Sequence, residues 1–389
     1  MTAIFWLSAF IVFYAFAGYG ILLLFLVKMK KIFNKKKHTT YNGIYQPMVT
    51  LLVAAYNEED CIEEKILNCF ELNYPKEKLQ IAFVTDGSND STPEKISKYK
   101  DIHLFHLPER NGKMAAIKRV MPHLHSEIIV FTDANTRLNP QAIDELIRHY
   151  QNPKVGAVAG EKKIVVSAYA DASSAGEGFY WKYESALKKL DYELYSNVGA
   201  AGELFSIRKS LYQPVESDTI IDDHMIAMRI AEAGYIIAYE PKAFAIETGS
   251  ANSQEELKRK IRIAAGGIQS ILRLKKSANP FHNFILTFEY ISHRVLRWTI
   301  TPFLLILIFV LNMFIVAQHQ QIIYKTTLLL QIFFYLMVVP GYFLERRNIK
   351  IKVFFLPYYF CLMNYAVIAG ISRYVRSKQS AAWEKSKRK

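Results

Sequence analysis

Four uninterrupted apolar stretches divide the chain, one near its start and three near its end. They are Ala3–Val27, Trp298–Ala317, Thr326–Leu344 and Val353–Ile371, with lengths of 25, 20, 19 and 19 residues and no charged residue in any of them. A helix that crosses a bilayer needs about 20 apolar residues. The pattern therefore predicts an integral membrane protein whose central region is soluble.

The residues around the first and last apolar stretches predict how they meet the membrane. No basic residue precedes the first stretch and six lysines follow it within Lys28–Lys37, which is the reverse of a signal peptide and predicts a retained anchor with its N-terminus outside. The last stretch contains Pro357 and Asn364 and has basic residues on both sides. This favours a re-entrant or interfacial segment and three true crossings, with four crossings left open.

The central region alternates β-branched runs with helical patterns, which is typical of an α/β domain with a mostly parallel sheet. We predict Asn139 as a helix N-cap and Pro140 as the first residue of that helix. The predicted strands are Val49–Ala54, Leu79–Thr85, Ile102–His106, Glu127–Thr132, Val155–Gly160, Leu204–Ile207 and Tyr235–Tyr239. The predicted helices are Glu59–Leu72, Pro93–Tyr99, Lys113–His123, Pro140–Tyr150, Gly176–Tyr195 and Met225–Ala233.

Two amphipathic segments, Gln254–Lys276 and Phe281–Arg297, follow the α/β region and suit helices that lie in the membrane interface. The predicted organisation is an anchor over 1–28, a basic linker over 29–47, a catalytic domain over 48–253, interface helices over 254–297, a membrane region of two or three helices over 298–372, and a basic tail over 373–389.

The net charge of +14 lies in basic segments beside the apolar stretches. Lys and Arg in this position contact anionic lipid headgroups on the cytoplasmic side of a membrane. The central region has no basic face with aromatic residues, which argues against nucleic acid as a partner. The three cysteines form no disulfide pattern, which favours a reducing compartment.

Polar clusters follow two of the predicted strands. Ala55-Tyr56-Asn57-Glu58 follows the first strand, and Asp86 begins a turn after the second. Ligands of parallel sheets bind at the carboxyl ends of the strands, so both clusters are expected to face one crevice, where Asp86 can accept a hydrogen bond from a nucleobase. Ordinary turn chemistry is the alternative for each cluster taken alone.

Two further clusters suit a phosphate and a cation. Lys113 lies at a predicted helix start, where backbone N–H groups favour an anion. Asp133-Ala134-Asn135 ends a buried strand, and its oxygens suit Mg²⁺ or Mn²⁺. The alternatives are a surface lysine and a simple N-capping turn.

Acidic and basic groups also occur after the sheet. Asp222 and Asp223 precede a predicted helix, where they either cap the helix or supply a general base. Arg259-Lys260-Ile261-Arg262 lies on the first amphipathic segment and faces either lipid headgroups or an anionic ligand.

In their order along the chain, these clusters resemble the inverting glycosyltransferases of family 2. The resemblance is strongest to the membrane-embedded group that includes poly-N-acetylglucosamine, cellulose and hyaluronan synthases. It covers about Val49–Gly267. It implies a GT-A fold, a nucleotide-sugar donor, usually a uridine diphosphate sugar, and a divalent metal.

The resemblance also implies residue roles. The implied nucleotide-sugar site comprises Ala55, Tyr56, Asn57, Glu58, Asp86, Lys113, Asp133 and Arg262, with Asp133 and Asn135 toward the metal. Gly202 and Glu203 correspond to the acceptor-side loop. Ile221-Asp222-Asp223 takes the place of the family's Thr-Glu-Asp triplet, which makes Asp223 the catalytic base with Asp222 beside it.

The chain departs from the family pattern at two positions. Asn135 replaces a carboxylate, and the Gln-x-x-Arg-Trp element appears as Arg259–Ile263, which keeps Arg262 but has no tryptophan. Arg294–Trp298 imitates the missing element, but it lies far downstream of Asp223. We interpret it as a membrane-interface anchor outside the site.

The expected activity is a single-displacement transfer from a nucleotide sugar to a lipid-linked or polysaccharide-precursor acceptor, without processive polymerisation, by a cytoplasmic domain at the inner membrane. Two alternatives stay open. One is a processive synthase that also secretes its polymer, and the other is a catalytically inactive scaffold. The absence of charges within the apolar stretches argues against a transporter.

Overall fold

The computed structural model describes residues 1–33, 45–165, 172–248, 253–319, 321–347, 349 and 351–376. Most of the predicted basic linker and all but the start of the basic tail lie outside these residues. The described part contains eight strands: β1 (Val49–Ala55), β2 (Leu79–Asp86), β3 (Ile102–Leu107), β4 (Ile128–Asp133), β5 (Arg137–Leu138), β6 (Val155–Val165), β7 (Phe205–Arg208) and β8 (Ile236–Thr248).

The strands form one mixed sheet in the order β3-β2-β1-β4-β7-β6-β8-β5. Four pairs are parallel: β1–β2, β1–β4, β2–β3 and β6–β8. The other three, β4–β7, β6–β7 and β5–β8, are antiparallel. β2 and β3 extend the sheet on one side of β1, and β4 pairs with β1 on its other side. The carboxyl ends of β1 and β4 therefore form the switch point where a ligand crevice is expected.

Short helices cover the sheet, and most of them confirm the predicted positions within a few residues. They are Ile62–Phe70, Thr92–Ser97, Lys113–Val120, Ala142–Ile147, Ala172–Leu194 and Asp222–Glu232, with single 3₁₀ turns at Lys76–Lys78, Met121–His123, Arg148–Gln151 and Lys209–Leu211. Pro122 lies where the predicted helix Lys113–His123 changes to a 3₁₀ turn, because proline removes the backbone donor that a longer α-helix needs.

The predicted N-cap at Asn139 is wrong. The helix starts later, at Ala142, and Gln141 occupies the cap position. Instead, Asn139 receives a hydrogen bond from Phe244 N (2.8 Å) and donates one to Lys242 O (3.1 Å). Its amide thus continues the pairing of β5 with β8 beyond the end of β5.

Four helices are long and apolar enough to cross a membrane: Thr2–Phe33, Thr301–Gln318, Ile322–Arg346 and Lys352–Val375. The last is one continuous helix of 24 residues despite Pro357. A re-entrant or interfacial segment was expected here, and by length and composition this continuous helix qualifies as a fourth span. Its placement across or along the membrane stays a prediction.

The first amphipathic segment forms the helix Ser253–Arg273, and the second forms Phe284–Tyr290, a π turn at Ile291–Val295 and Leu296–Trp298. Glycines bring the first helix close to its neighbours. A Cβ on Gly370 would lie 2.6 Å from Ala264 Cβ, and one on Gly266 would lie 3.1 Å from Ile220 Cβ. The helix Ser253–Arg273 therefore packs between the last apolar helix and the loop that precedes Asp222.

Candidate active site

Hydrogen bonds made by Asn57 and Glu58 tie the loop after β1 to the loop after β2. Asn57 has a positive φ of 53°, and its amide exchanges hydrogen bonds with Asn89 (2.8 and 3.0 Å). Glu58 is buried, and its backbone N–H donates to Thr92 Oγ1 at 2.9 Å. The structure thus shows Asn57 and Glu58 joining the two loops, and their predicted contact with a nucleotide stays a prediction.

Asp86 organises the next loop. Its Oδ2 accepts hydrogen bonds from the backbone N–H groups of Asn111 (2.8 Å) and Gly112 (2.5 Å). Gly112 has a φ of 93°, a conformation that favours glycine. Asp86 therefore fixes the turn that starts the helix of Lys113.

A small pocket lies between these loops, and its walls include Ala55, Tyr56, Asp86 and Lys113. The Arg110 guanidinium lies 4.1 Å from the centre of the Tyr56 ring and forms another wall. The structure therefore brings together four of the residues that the sequence assigned to the nucleotide, and it adds Arg110, which the sequence analysis missed. Its position next to Asn111-Gly112-Lys113 was the available signal.

Lys113 connects Asp133, at the end of β4, to the acidic pair Asp222-Asp223. Its Nζ lies 3.1 Å from Asp133 Oδ1 and 3.4 Å from Asp222 Oδ2. Burial alone would lower the pKa of Lys113, but the carboxylates of Asp133, Asp222 and Asp223 raise it above its usual value. Lys113 is therefore a permanent cation at this point.

Asp223 is placed beside Gly202. A Cβ built on Gly202 would lie 3.4 Å from Asp223 Oδ2, 3.6 Å from Lys113 Nζ and 3.7 Å from Asp133 Oδ2. The absence of a side chain at Gly202 thus leaves room where these three groups converge. Burial, reinforced by the Asp222 charge, raises the pKa of Asp223 to about 7, which suits a general base near neutral pH.

Asp133 and Asn135 partly fit the predicted metal. Asn135 Oδ1 is buried and has no hydrogen-bond partner in the described part of the chain, as expected of an oxygen that awaits a ligand. Burial raises the pKa of Asp133. Within the described residues, no group of three or more His, Cys, Asp or Glu side chains is arranged to hold a metal, so a cation here would need further oxygens from a diphosphate or water.

A second cavity of about 200 Å³ adjoins Lys113 and Asp222, and Arg262 lines its far side. Arg262 donates one hydrogen bond from Nη2 to Ile220 O at 3.2 Å, while its Nε is buried and has no hydrogen-bond partner among the residues that the structure describes. Three cations, Lys113, Arg110 and Arg262, therefore border one cavity at the start of a helix. This arrangement suits a phosphate-bearing ligand.

The basic residues before Arg262 contact the protein itself. Arg259 lies 3.1 Å from Glu256 and 4.0 Å from Glu203, and Lys260 lies 3.5 Å from Glu256. Glu203 also pairs with the buried Lys162 at 2.5 Å, which lowers the pKa of its carboxyl despite burial. The structure therefore favours internal ion pairs over headgroup contact for Arg259 and Lys260, and it gives Glu203 a structural partner.

The largest of these cavities, about 260 Å³, runs from Asp223 to the apolar helices. Trp298 is one of its walls and meets the His224 ring edge-on, with ring centroids 5.4 Å apart. Arg294 and Arg297 line this cavity too, so the interpretation that Arg294–Trp298 lies outside the site is wrong, and its role as a membrane-interface anchor stays a prediction. The chain returns along Phe284–Trp298 and places Trp298 against His224, the residue that follows Asp223 in the sequence.

Residues 50–213 match the family model described as glycosyl transferase family 2. Among curated proteins, the chain is 30% identical over 256 residues to poly-beta-1,6-N-acetyl-D-glucosamine synthase of Staphylococcus aureus (strain MSSA476), with 62% of this chain and 61% of that protein covered. It is 27% identical to the protein of the same description from Staphylococcus epidermidis, with 70% and 68% covered. The chain thus spans about three fifths of the length of the first relative.

Among solved structures, the fold is similar to the mannosyltransferase PcManGT from Pyrobaculum calidifontis, solved in complex with GDP-Man and Mn²⁺. The TM-score is 0.69 at 22% identity, with 96% of this chain and all of the other covered. The similarity covers the apolar helices as well as the sheet, and it confirms the predicted α/β GT-A domain with flanking membrane helices.

Proposed function

Because the chain carries a family 2 glycosyltransferase domain, we propose that it is a membrane-bound inverting glycosyltransferase. In this proposal it transfers a hexosyl or N-acetylhexosaminyl group from a nucleoside diphosphate sugar to a carbohydrate acceptor. The observation that carries the proposal is the convergence of Asp223, Lys113 and Asp133 within 3.4 to 3.7 Å of the space above Gly202. A base, a cation and a donor-side carboxylate thus meet at one point.

Asp223 acts as the general base. It accepts the proton of an acceptor hydroxyl, whose oxygen attacks the anomeric carbon as the bond to the diphosphate breaks on the opposite face. A single displacement of this kind inverts the anomeric configuration. The raised pKa of Asp223, about 7, supports this role because the carboxylate is still basic enough to take a proton near neutral pH. Asp222 contributes the neighbouring negative charge.

Lys113 and Arg262 bind the diphosphate and stabilise the negative charge that develops on it. Both border the 200 Å³ cavity, and each contributes a fixed cationic group there. Asp133 and Asn135 would hold a Mg²⁺ or Mn²⁺ ion, which as a Lewis acid would neutralise further charge on the leaving group. Tyr56, Asp86 and Arg110 border the adjoining pocket, where the base of the nucleotide would bind.

The acceptor approaches through the 260 Å³ cavity. Phe16 from the first apolar helix and Asn364 and Val367 from the last form part of its wall, and Asp223 lies on the same cavity. A cavity that joins the base to apolar helices suits an acceptor held at the membrane by a lipid. We therefore propose a lipid-linked or membrane-associated saccharide acceptor, a single addition, and a cytoplasmic catalytic domain at the inner membrane, where anionic lipids contact the basic segments.

A processive synthase that secretes its polymer is the second candidate. The names of the two staphylococcal relatives favour it, since both are described as synthases of a polysaccharide. Product length separates the two candidates. A single added sugar on a gel supports one transfer, and a ladder of long chains supports the synthase.

The test of the proposed function uses the purified full chain in detergent with Mn²⁺ and a panel of UDP-N-acetylglucosamine, UDP-glucose and GDP-mannose. Release of nucleotide from one donor, increased by a saccharide acceptor, is the expected result. If no donor is turned over and calorimetry detects no binding of UDP or GDP, the proposal fails and the inactive scaffold is favoured.

A further inference from the structure

His224 is a buried polar side chain that the proposed mechanism does not use. It follows Asp223 directly, is 4% exposed, and lines the 260 Å³ cavity. Its Nε2 is buried and has no hydrogen-bond partner in the described part of the chain. A buried imidazole nitrogen without a partner is costly in a folded protein unless a ligand supplies one.

The imidazole is held in one orientation by its neighbours. Gly199 has a φ of 132°, and a Cβ on it would lie 2.4 Å from His224 Nδ1, so only glycine fits beside that nitrogen. Tyr290 stacks on the ring with centroids 6.2 Å apart. Burial and the charges of Arg294 and His293 lower the pKa of His224 to about 3. The ring is therefore neutral at physiological pH, and Nε2 is its unsatisfied atom.

Trp298 forms an apolar wall beside the His224 ring, with ring centroids 5.4 Å apart. A Cβ on Gly267 would lie 2.7 Å from the indole, so the helix Ser253–Arg273 presses directly against it. The Arg294 guanidinium lies 5.5 Å from the indole ring centre. Trp298 is thus held between the helix Ser253–Arg273 and the Arg294 guanidinium of its own helical segment, with its ring in edge-on contact with His224.

We propose that His224 and Trp298 form the subsite that orients the acceptor sugar for attack. The inference rests on the proposed function and adds the residues that recognise the acceptor. His224 Nε2 exchanges a hydrogen bond with a hydroxyl next to the one that Asp223 deprotonates, and Trp298 contacts the apolar C–H surface of the sugar ring. Both are positioning residues, because the proton is transferred to Asp223.

The test compares His224→Phe, which keeps an aromatic ring and removes the nitrogen, with His224→Gln, which restores a hydrogen-bonding group at the end of the side chain. The donor is UDP-N-acetylglucosamine and the acceptor is a soluble N-acetylglucosamine oligosaccharide. We expect His224→Phe to raise the acceptor KM by roughly tenfold, the value of one hydrogen bond, and His224→Gln to recover part of it. The exposed His103→Phe on β3 is the matched control and should leave the KM unchanged.

Two readouts separate positioning from a structural role. Calorimetric affinity for UDP with Mn²⁺ and donor hydrolysis without acceptor should both stay at the wild-type level in His224→Phe. An unchanged acceptor KM in that variant would overturn the subsite, and so would an equal loss of UDP affinity. If His224→Phe does not fold, Trp298→Leu takes its place with the same expected split. Wild-type protein without any donor turnover would instead contradict the proposed function itself.

Discussion

The Lys113 ammonium lies 3.4 Å from the Asp222 carboxylate and joins two helix N-termini that are far apart in the sequence. One helix follows the loop that Asp86 fixes, and the other carries the base Asp223 beside Asp222. The ion pair therefore couples the donor side of the site to the acidic pair. Carboxylates surround Lys113 in the structure, so the lysine can bind a diphosphate only if it shares its charge with them.

Lys113→Met tests this coupling. The methionine keeps the length of the side chain but removes its charge, so we expect affinity for UDP with Mn²⁺ to fall by about tenfold to a hundredfold, as for a lost charge-assisted contact. Calorimetry measures it. Lys118→Met, an exposed position on the same helix, is the control and should bind UDP normally. Equal affinity in both variants would remove Lys113 from the donor site.

The activity should depend on pH through Asp223. Its pKa of about 7 means that the base is protonated, and so inactive, below that pH. We expect kcat/KM to rise about tenfold per pH unit below neutrality and to level off above it. The measurement is kcat/KM as a function of pH, taken once with the donor and once with the acceptor at limiting concentration. A flat profile between about pH 5 and 8 would contradict Asp223 as the titrating group.

The ionised Asp223 carboxylate should also destabilise the folded protein at high pH. Its folded-state pKa of about 7 lies above the usual value of 3.8, so the stability it contributes is present at low pH and is lost as pH rises through about 7. We expect Asp223→Asn in the absence of ligands to unfold at a higher temperature than wild type at pH 8, with a smaller difference at about pH 5, which lies between the two pKa values, and the smallest difference below about pH 4. The opposite order at pH 8 would show that the Asp223 charge is well compensated.

Lys162 supports the acceptor-side loop through buried ion pairs. Its ammonium pairs with Glu203 and with Glu247, and all three side chains are largely buried. Lys162→Met leaves the two buried carboxylates with the more distant Arg259 guanidinium, which lies 4.0 Å from Glu203 and 3.8 Å from Glu247, so the loss of the shorter pairs should cost at most about 3 to 5 kcal/mol. Thermal unfolding in detergent measures the loss. Lys154→Met, at an exposed position, should unfold like wild type, and a similar result for Lys162→Met would contradict the role of the network.

The sequence predicted the parts of the fold that depend on local pattern. Runs of β-branched residues predicted β1, β2 and β4, and Asp86 and Asp133 lie at the carboxyl ends of β2 and β4. Their roles as site residues stay predictions. Strand ends were less predictable. β8 continues to Thr248, well beyond the predicted Tyr239, because its second half pairs with the far end of β6. That pairing is a tertiary contact, which local periodicity does not encode.

The parts that failed depend on long-range packing. Trp298 follows Asp223 at a long sequence distance, yet the fold brings its indole to His224. Arg259 belongs to a basic amphipathic segment of the kind that faces lipid headgroups, but the carboxylates of Glu256 and Glu203 lie within 4.0 Å of it. Sequence spacing gives no information on such contacts, because the helices that supply them are brought together only by tertiary packing.

The most direct test of the account is Asp223→Asn assayed for transfer and donor binding in the same preparation. Asparagine has nearly the same shape as aspartate but no useful basicity. We expect transfer of radiolabelled sugar to fall by a factor of roughly a hundred or more while UDP affinity stays within about twofold of wild type. Near-normal transfer in this variant would show that Asp223 is not the base.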